Sequence, residues 1–255
     1  MPATSHIDIQ RSTDRLKTKI SWLDSKHSFS FGQHYDPANT HHGLLLVNND
    51  DIVLPGQGFE THPHRDMEIV TWVLDGSLVH QDSLGHSGVI YPGLAQRMSA
   101  GSGILHSEKN DAWRLDNSQP ATEPVHFVQM WVMPDEGGLT PGYQQLEIDD
   151  ALGAGDLVTV ASGMPQHRNE TAITINSSHS ALHVARVRPG KSVTVPTAPF
   201  VHLFVARGEV DMEGSGRFHA GDAVRLTHSG GQRIDAEHPA EILIWEMHAR
   251  LGGFA

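Results

Sequence analysis

Short runs of β-branched and aromatic residues, each closed by a turn, occur along the whole sequence. Residues 69–74, 127–132, 182–187 and 200–205 have this composition, and turns containing Gly or Pro separate such runs at short intervals. Convincing amphipathic helical segments are scarce. Many short strands joined by close turns are typical of sandwiches and barrels, so the sequence predicts an all-β fold.

This β pattern occurs twice along the chain. Residues 73–79 read like residues 205–211, with a glycine at the centre of the turn in each copy. Residues 126–131 resemble residues 241–245 in the same way. Two copies of one β unit would account for the length of 255 residues.

The segment between Pro134 and Pro141 interrupts the strand pattern with Asp-Glu-Gly-Gly-Leu-Thr. Such a turn-rich interruption is the expected form of a junction between two folded units. We therefore predict an amino-terminal domain over residues 1–135 and a carboxy-terminal domain over residues 136–255.

Composition excludes several classes of function. The net charge of −12 argues against binding to phosphate backbones or anionic membranes. No stretch approaches the roughly 18 apolar residues of a membrane span, and residues 1–12 lack the apolar core of an export signal. The chain has no Cys, hence no disulfide, thiolate nucleophile or sulfur-ligated metal, which favours a reducing, cytoplasmic setting.

Histidine is unusually abundant: 19 His residues outnumber the 18 Lys and Arg residues together. His62 and His64 are two residues apart, and His106 and Glu108 repeat that spacing beside a glycine-rich turn. In a strand, residues two apart point to the same face. If the two strands face each other inside a barrel, three imidazoles and one carboxylate converge on a site for a divalent first-row metal.

The alternative is that these imidazoles simply face solvent. With 19 His among 255 residues, chance alone yields about one His-x-His pattern. Two His-containing pairs with a spacing of two in one half of the chain, each beside a glycine-rich turn, are a much stronger signal, and we interpret them as metal ligands.

Other side chains near these pairs have less specific interpretations. Glu68 would be a fifth ligand, a structural acid or, in the interpretation we favour, an acceptor for the free N–H of a ligating imidazole. We expect His80 in a turn or at the surface. Phe59, Met98 and Trp131 are expected in the core rather than in contact with a substrate.

The second copy of the repeat serves as an internal control. Aligning the two copies on their turn glycines puts Thr194 and Pro196 where His62 and His64 stand. We therefore predict that the carboxy-terminal unit lacks metal ligands and serves to pack against the first unit and to close the mouth of its pocket.

The sequence resembles the pirin family of bicupins. The matching motifs are Trp22-Leu23-Asp24-Ser25, Phe29-Ser30-Phe31-Gly32, His62-Pro63-His64-Arg65, Asp82-Ser83-Leu84-Gly85 and the run 92–108. The resemblance implies two tandem cupin barrels of jelly-roll type, with iron or a similar divalent metal bound in the first by His62, His64, His106 and Glu108. Residues 65–68 read Arg-Asp-Met-Glu where members often carry Arg-Gly-Phe-Glu, a change that leaves these ligands intact.

Members similar to this chain include bacterial proteins with flavonol (quercetin) 2,3-dioxygenase activity and a eukaryotic transcriptional co-regulator. The resemblance implies an oxidoreductase that cleaves the flavonol ring with O2 and releases carbon monoxide. In this interpretation the metal lowers the pKa of the flavonol 3-hydroxyl and Glu108 accepts its proton. The expected partners are a flavonol-like aromatic substrate and O2.

Two other functions stay open. A metal-dependent regulator without enzymatic activity would act through a protein partner, because the net charge disfavours direct contact with DNA. Alternatively, the metal only stabilises the barrel.

We expect Fe(II) as the metal, although the same ligands accept Mn, Co, Ni, Cu or Zn. Two fused units can bury each other's surfaces, so we expect a monomer.

Overall fold

The computed structural model describes residues 5–254 and consists mainly of short antiparallel strands. In chain order the strands are β1 His6–Gln10, β2 Leu16–Lys19, β3 Leu23–His27, β4 Leu45–Val53, β5 Gly58–His64, β6 Glu68–Asp75, β7 Leu78–Asp82, β8 Ser87–Ile90, β9 Leu94–Ser99, β10 Ile104–Lys109, β11 Val125–Val132, β12 Gly142–Glu147, β13 Val158–Ser162, β14 Ile173–Thr174, β15 Ser180–Val187, β16 Ser192–Thr194, β17 Ala198–Arg207, β18 Glu209–Met212, β19 Gly216–His219, β20 Ala223–Ser229, β21 Arg233–Asp235, β22 Ala240–Met247, β23 Ala249–Arg250 and β24 Gly253–Phe254.

Among the described residues, helical structure is confined to short pieces between strands: α1 Trp113–Asp116, α2 Asp149–Leu152 and a 3₁₀ turn at Pro165–His167. Within residues 5–254, none of the helices is both long enough and apolar enough to traverse a bilayer. The prediction of an all-β chain is confirmed.

The strand order confirms two barrels of the same plan. A seven-stranded sheet with order β12-β9-β6-β11-β4-β3-β2 stands opposite a four-stranded sheet, β5-β10-β7-β8. The second half repeats both, with orders β1-β20-β17-β22-β15-β13-β14 and β16-β21-β18-β19. The turn glycines are equivalent, since Gly76 and Gly208 both have positive φ and both lie against the first residues of the same central strand, β11 or β22.

Edge strands cross between the two halves of the chain. Strand β12 lies beyond residue 135 and pairs with β9 of the first sheet, whereas β1 near the amino terminus pairs with β20 of the second. The domain boundary at residue 135 stays a prediction, and these exchanged edges show that the two sheets are not built from two uninterrupted segments of chain.

The two seven-stranded sheets pack against each other through a shared apolar core. Its largest members include Trp72 from the first barrel and Trp245 and Phe204 from the second. The Trp72 indole donates a 2.6 Å hydrogen bond to Glu241 Oε1, which crosses the interface. The outer face of each seven-stranded sheet is therefore largely buried in the interface between the barrels.

The interiors of the two barrels differ. In the second, an apolar cluster that includes Val193, Val201, Phe218 and Ile234 fills the space between the sheets. In the first, the apolar clusters are smaller, and a cavity of about 600 Å³ opens between the sheets. The expectation that the carboxy-terminal unit binds no metal stays a prediction.

Glu246 provides a pH-dependent link between neighbouring strands of the second sheet. Its carboxylate accepts hydrogen bonds from His183 Nε2 at 3.0 Å and His248 Nε2 at 2.7 Å. Burial opposes ionisation, but these two imidazoles outweigh it and lower the pKa of Glu246 from 4.5 to about 2. A depressed acid pKa stabilises the fold above the unfolded value and stops doing so as the pH falls through the folded value.

We predict that the free energy of unfolding of the wild type exceeds that of Glu246→Gln at pH 6, by about 3 kcal/mol at most. The difference should shrink as the pH falls from about 4.5 to about 2. Urea unfolding across this pH range measures it, with Glu136→Gln at an exposed position as the control. A difference that is independent of pH would contradict this origin of the stability.

Candidate metal centre

Strands β5 and β10 pair antiparallel and bring the predicted histidines together. His106 lies directly opposite His62, and Ile104 lies opposite His64. The ring centroids are 4.5 Å apart for His62 and His106, 4.8 Å for His62 and His64, and 4.9 Å for His64 and His106. One ligand atom from each of the three lies within 4.8 Å of the others.

A β-bulge changes which face β5 presents. The register shifts between His106 and Glu108, so that Glu108 pairs with Phe59 rather than Glu60. Glu60 and Thr61 are consequently both exposed, and Phe59 faces inward beside the two imidazoles. The first residue of this strand, Gly58, has to be a glycine, because a Cβ there would lie 2.2 Å from the Glu108 carbonyl oxygen.

In each of the three imidazoles, Nε2 is the nitrogen available for a ligand. His62 Nδ1 donates to the Glu60 carbonyl oxygen at 2.7 Å, which leaves Nε2 as the acceptor atom. His64 Nε2 and His106 Nε2 are buried and have no hydrogen-bond partner. Buried nitrogens without partners are costly, and a shared cation would satisfy them.

The electrostatics also suit metal ligation. Burial, reinforced by the neighbouring imidazoles, lowers the pKa of His64 to about 4 and that of His106 to about 3. Both rings are therefore neutral at physiological pH, the form that binds metals. Three imidazoles and a nearby carboxylate are a donor set that fits a divalent first-row cation.

Glu108 lies beside this cluster and is firmly held. Gln129 Nε2 donates to both carboxylate oxygens, at 2.9 and 2.7 Å, and Thr71 donates to one at 3.4 Å. One Glu108 oxygen lies within 4.8 Å of ligand atoms of His106 and His80. The role of Glu108 as the fourth ligand stays a prediction.

The interpretation of Glu68 as an acceptor for a ligating imidazole was wrong. Asp66, with φ of 50°, turns the chain between β5 and β6, so the alternation of faces does not continue from His64 to Glu68. Glu68 is buried and accepts hydrogen bonds from Ser99 at 2.8 Å and from Asn176 of the second barrel at 3.1 Å. It is a link across the interface between barrels.

The expected turn or surface position of His80 was also wrong, because His80 is fully buried on β7. Its Nε2 donates to Asp82 at 3.2 Å, so its Nδ1 accepts from His106 Nδ1 at 3.4 Å. The predicted ligand His106 is thus oriented by a second imidazole, which is oriented in turn by a carboxylate. The spacing of His80 and Asp82, two apart on one strand, was the signal that could have identified this pair.

Aromatic side chains form the wall of the cavity next to the imidazoles. Trp131 packs edge-on against His64 with centroids 4.8 Å apart, and Phe31 packs edge-on against Trp131 at 5.6 Å. Phe59 also lines this space. Phe59 and Trp131 were expected only in the core; they pack against core clusters and also line the cavity, whereas Met98 is buried as expected.

Comparison with known proteins identifies the family. The family model described as Pirin matches residues 9–132, and that described as quercetinase C-terminal cupin domain matches residues 159–247. A Mycobacterium tuberculosis protein named putative quercetin 2,3-dioxygenase is 61% identical over 99% of both chains. The chain belongs to the pirin family, and its all-β, two-cupin architecture is that of a bicupin.

More distant relatives agree over almost the full length. The quercetin 2,3-dioxygenase of Escherichia coli is 34% identical over 94% of this chain and 98% of its own. The crystal structure of the bacterial pirin YhhW from Escherichia coli in complex with nickel(II) superposes with a TM-score of 0.82 and 32% identity, covering 96% of this chain and 100% of that one.

The contact between His106 and His80 gives a prediction for metal affinity. His80→Phe keeps the ring that stacks on Tyr143 but removes the acceptor for His106 Nδ1. We expect the affinity for a divalent metal to fall about 10- to 100-fold, measured by competition with a chelator.

His86→Phe is the matched control. The His86 imidazole also contacts Asp82, at 2.9 Å, and stacks on Tyr143, but it belongs to neither group of candidate ligands. Its replacement should leave the affinity nearly unchanged. Equal losses in the two variants would mean that His80 does not act through His106.

Proposed function

We propose that this protein is a metal-dependent dioxygenase that cleaves flavonols such as quercetin, with His62, His64, His106 and Glu108 as the metal ligands. The observation that carries the proposal is the group of three imidazoles facing the inside of the first barrel, two of them with buried nitrogens that lack partners. The names of the relatives at 61% and 34% identity support the reaction.

We propose a divalent metal for this site, with Fe(II) as the native ion. The neutral imidazoles and the carboxylate suit any first-row divalent cation, and the nickel(II) complex of the related pirin supports a site of this kind. When bound, a divalent ion lowers the pKa of a coordinated hydroxyl group and supplies the chemistry with O2 that side chains lack.

The cavity is suited to a planar aromatic substrate. Its volume of about 600 Å³ lies within the range of roughly 300–1,000 Å³ found for small-molecule sites. Phe31, Phe59 and Trp131 offer flat apolar surfaces next to the imidazoles. These rings would orient the substrate and keep water away from it during the reaction.

Within this pocket Glu108 is the proton acceptor that we propose for the substrate hydroxyl. Trp131 Nε1 donates to Gln129 Oε1 at 3.0 Å, and the Gln129 amide in turn holds the Glu108 carboxylate. This chain of hydrogen bonds fixes the direction of the carboxylate, and a general base needs such a fixed direction.

The proposal predicts that the iron-loaded protein consumes O2 and quercetin together and releases carbon monoxide. His62→Ala should lose bound iron and activity, because it removes one of three imidazole ligands. The exposed His41→Ala is the control and should retain both. A metal-loaded wild type that leaves quercetin untouched in air would contradict the proposal and favour the regulatory alternative.

Glu108→Gln separates proton transfer from metal binding. We expect the variant to keep its iron, because three imidazoles remain, while the rate of flavonol oxidation falls about 100-fold or more. Iron content and O2 uptake measured on the same sample test both parts. A variant that loses iron would show that Glu108 acts mainly as a ligand, and one with unchanged activity would exclude it as the base.

A further inference from the structure

A second carboxyl group in the same cavity, that of Asp51, has no role in the proposed reaction. Asp51 lies on β4, where it pairs with Ser25 of β3 and with Phe127 of β11. Its side chain lines the cavity, although the residue is only 3% exposed. Asp51 therefore belongs to the seven-stranded sheet, whereas the candidate imidazole ligands come from the four-stranded sheet opposite.

Of the described residues that line this cavity, two have a buried side-chain atom without a hydrogen-bond partner: His64 Nε2 and Asp51 Oδ1. The metal accounts for the first of them. Nothing accounts for the second, and a buried carboxylate oxygen without a partner destabilises the fold. An unpaired buried oxygen is most easily tolerated where a bound ligand forms a hydrogen bond with it.

The neighbouring polar side chains on this wall are already paired. His27 Nδ1 donates to Asn49 Oδ1 at 2.8 Å, and His27 Nε2 accepts from Thr18 at 2.9 Å. Gln129 is held between Trp131 and Glu108. Asp51 therefore differs from the polar groups around it in having an oxygen left over.

The charge of Arg15 favours the ionised form of Asp51 but does not outweigh the effect of its burial. Arg15 pairs with Asp50 at 3.3 Å, and Asp50 also accepts a hydrogen bond from His126 at 2.6 Å on the opposite face of the strand. Burial raises the pKa of Asp51 to about 7; the Ser25 hydroxyl opposes this rise, and the carboxylates of Asp50 and Glu108 add to it. In either protonation state Asp51 Oδ1 can accept a hydrogen bond.

We propose that Asp51 is a specificity-determining residue whose free oxygen accepts a hydrogen bond from a hydroxyl group of the aromatic substrate, at a position other than the hydroxyl near the imidazoles. The inference rests on the proposed function, because it assumes a polyhydroxylated aromatic ligand in this cavity. In this arrangement the seven-stranded sheet recognises the ring hydroxyl groups of the substrate, and the four-stranded sheet opposite binds the metal.

The test compares two ligands in the absence of O2, with nickel-loaded protein so that binding is measured without turnover. Quercetin carries several ring hydroxyls, whereas 3-hydroxyflavone keeps only the 3-hydroxyl and the carbonyl group. Asp51→Val should weaken quercetin binding about tenfold, which corresponds to about 1.4 kcal/mol. It should leave 3-hydroxyflavone binding unchanged, and Asp51→Asn, which keeps an acceptor oxygen, should bind quercetin almost as the wild type does.

Thermal unfolding of the same variants excludes a purely structural role. Valine suits β4, where Val47 and Val53 are buried, and it removes an unpaired oxygen, so the Val variant should unfold at no lower temperature than the wild type. A lower unfolding temperature with equal losses for both ligands would overturn the proposal. So would unchanged quercetin binding.

Failure of the proposed reaction gives a different result. If the wild type binds quercetin more tightly than 3-hydroxyflavone through Asp51 but the iron form consumes no O2, the subsite stands and the dioxygenase assignment fails. If the wild type binds neither flavonol, the subsite proposal is overturned as well.

Discussion

The antiparallel pairing of β5 and β10 is the interaction on which the candidate site depends. It sets His106 directly opposite His62, and it leaves buried nitrogens on His64 and His106 without a protein partner. Because burial keeps these two imidazoles neutral, the barrel interior presents free lone pairs instead of positive charge. Leaving these nitrogens without partners would destabilise the barrel, so we expect a bound cation to stabilise it.

Duplication of one barrel allowed the two copies to take different roles. Both copies use their seven-stranded sheets to bury a common interface, which includes Trp72 and Trp245. The second interior is then filled by valine, isoleucine and phenylalanine side chains, whereas the first has an open cavity walled by Trp131 and Phe59. The open interior also contains the unpaired oxygen of Asp51.

The sequence predicted the fold class, the duplication and the residues of the imidazole cluster, because these depend on strand periodicity and local spacing. It failed where a residue's face depends on irregular backbone. The bulge in β5 turned Phe59 into the cavity, and the turn at Asp66 sent Glu68 to the interface between barrels. It also failed for His80, whose burial depends on strand pairing between distant segments that alternation along one segment does not reveal.

Anomalous diffraction at the absorption edge of the metal, from crystals of protein shown to contain one ion per chain, tests the central claim most directly. We predict a single anomalous peak about 2 Å from Nε2 of His62, His64 and His106. A peak in the barrel formed by the carboxy-terminal half, or none among these three imidazoles, would contradict the claim.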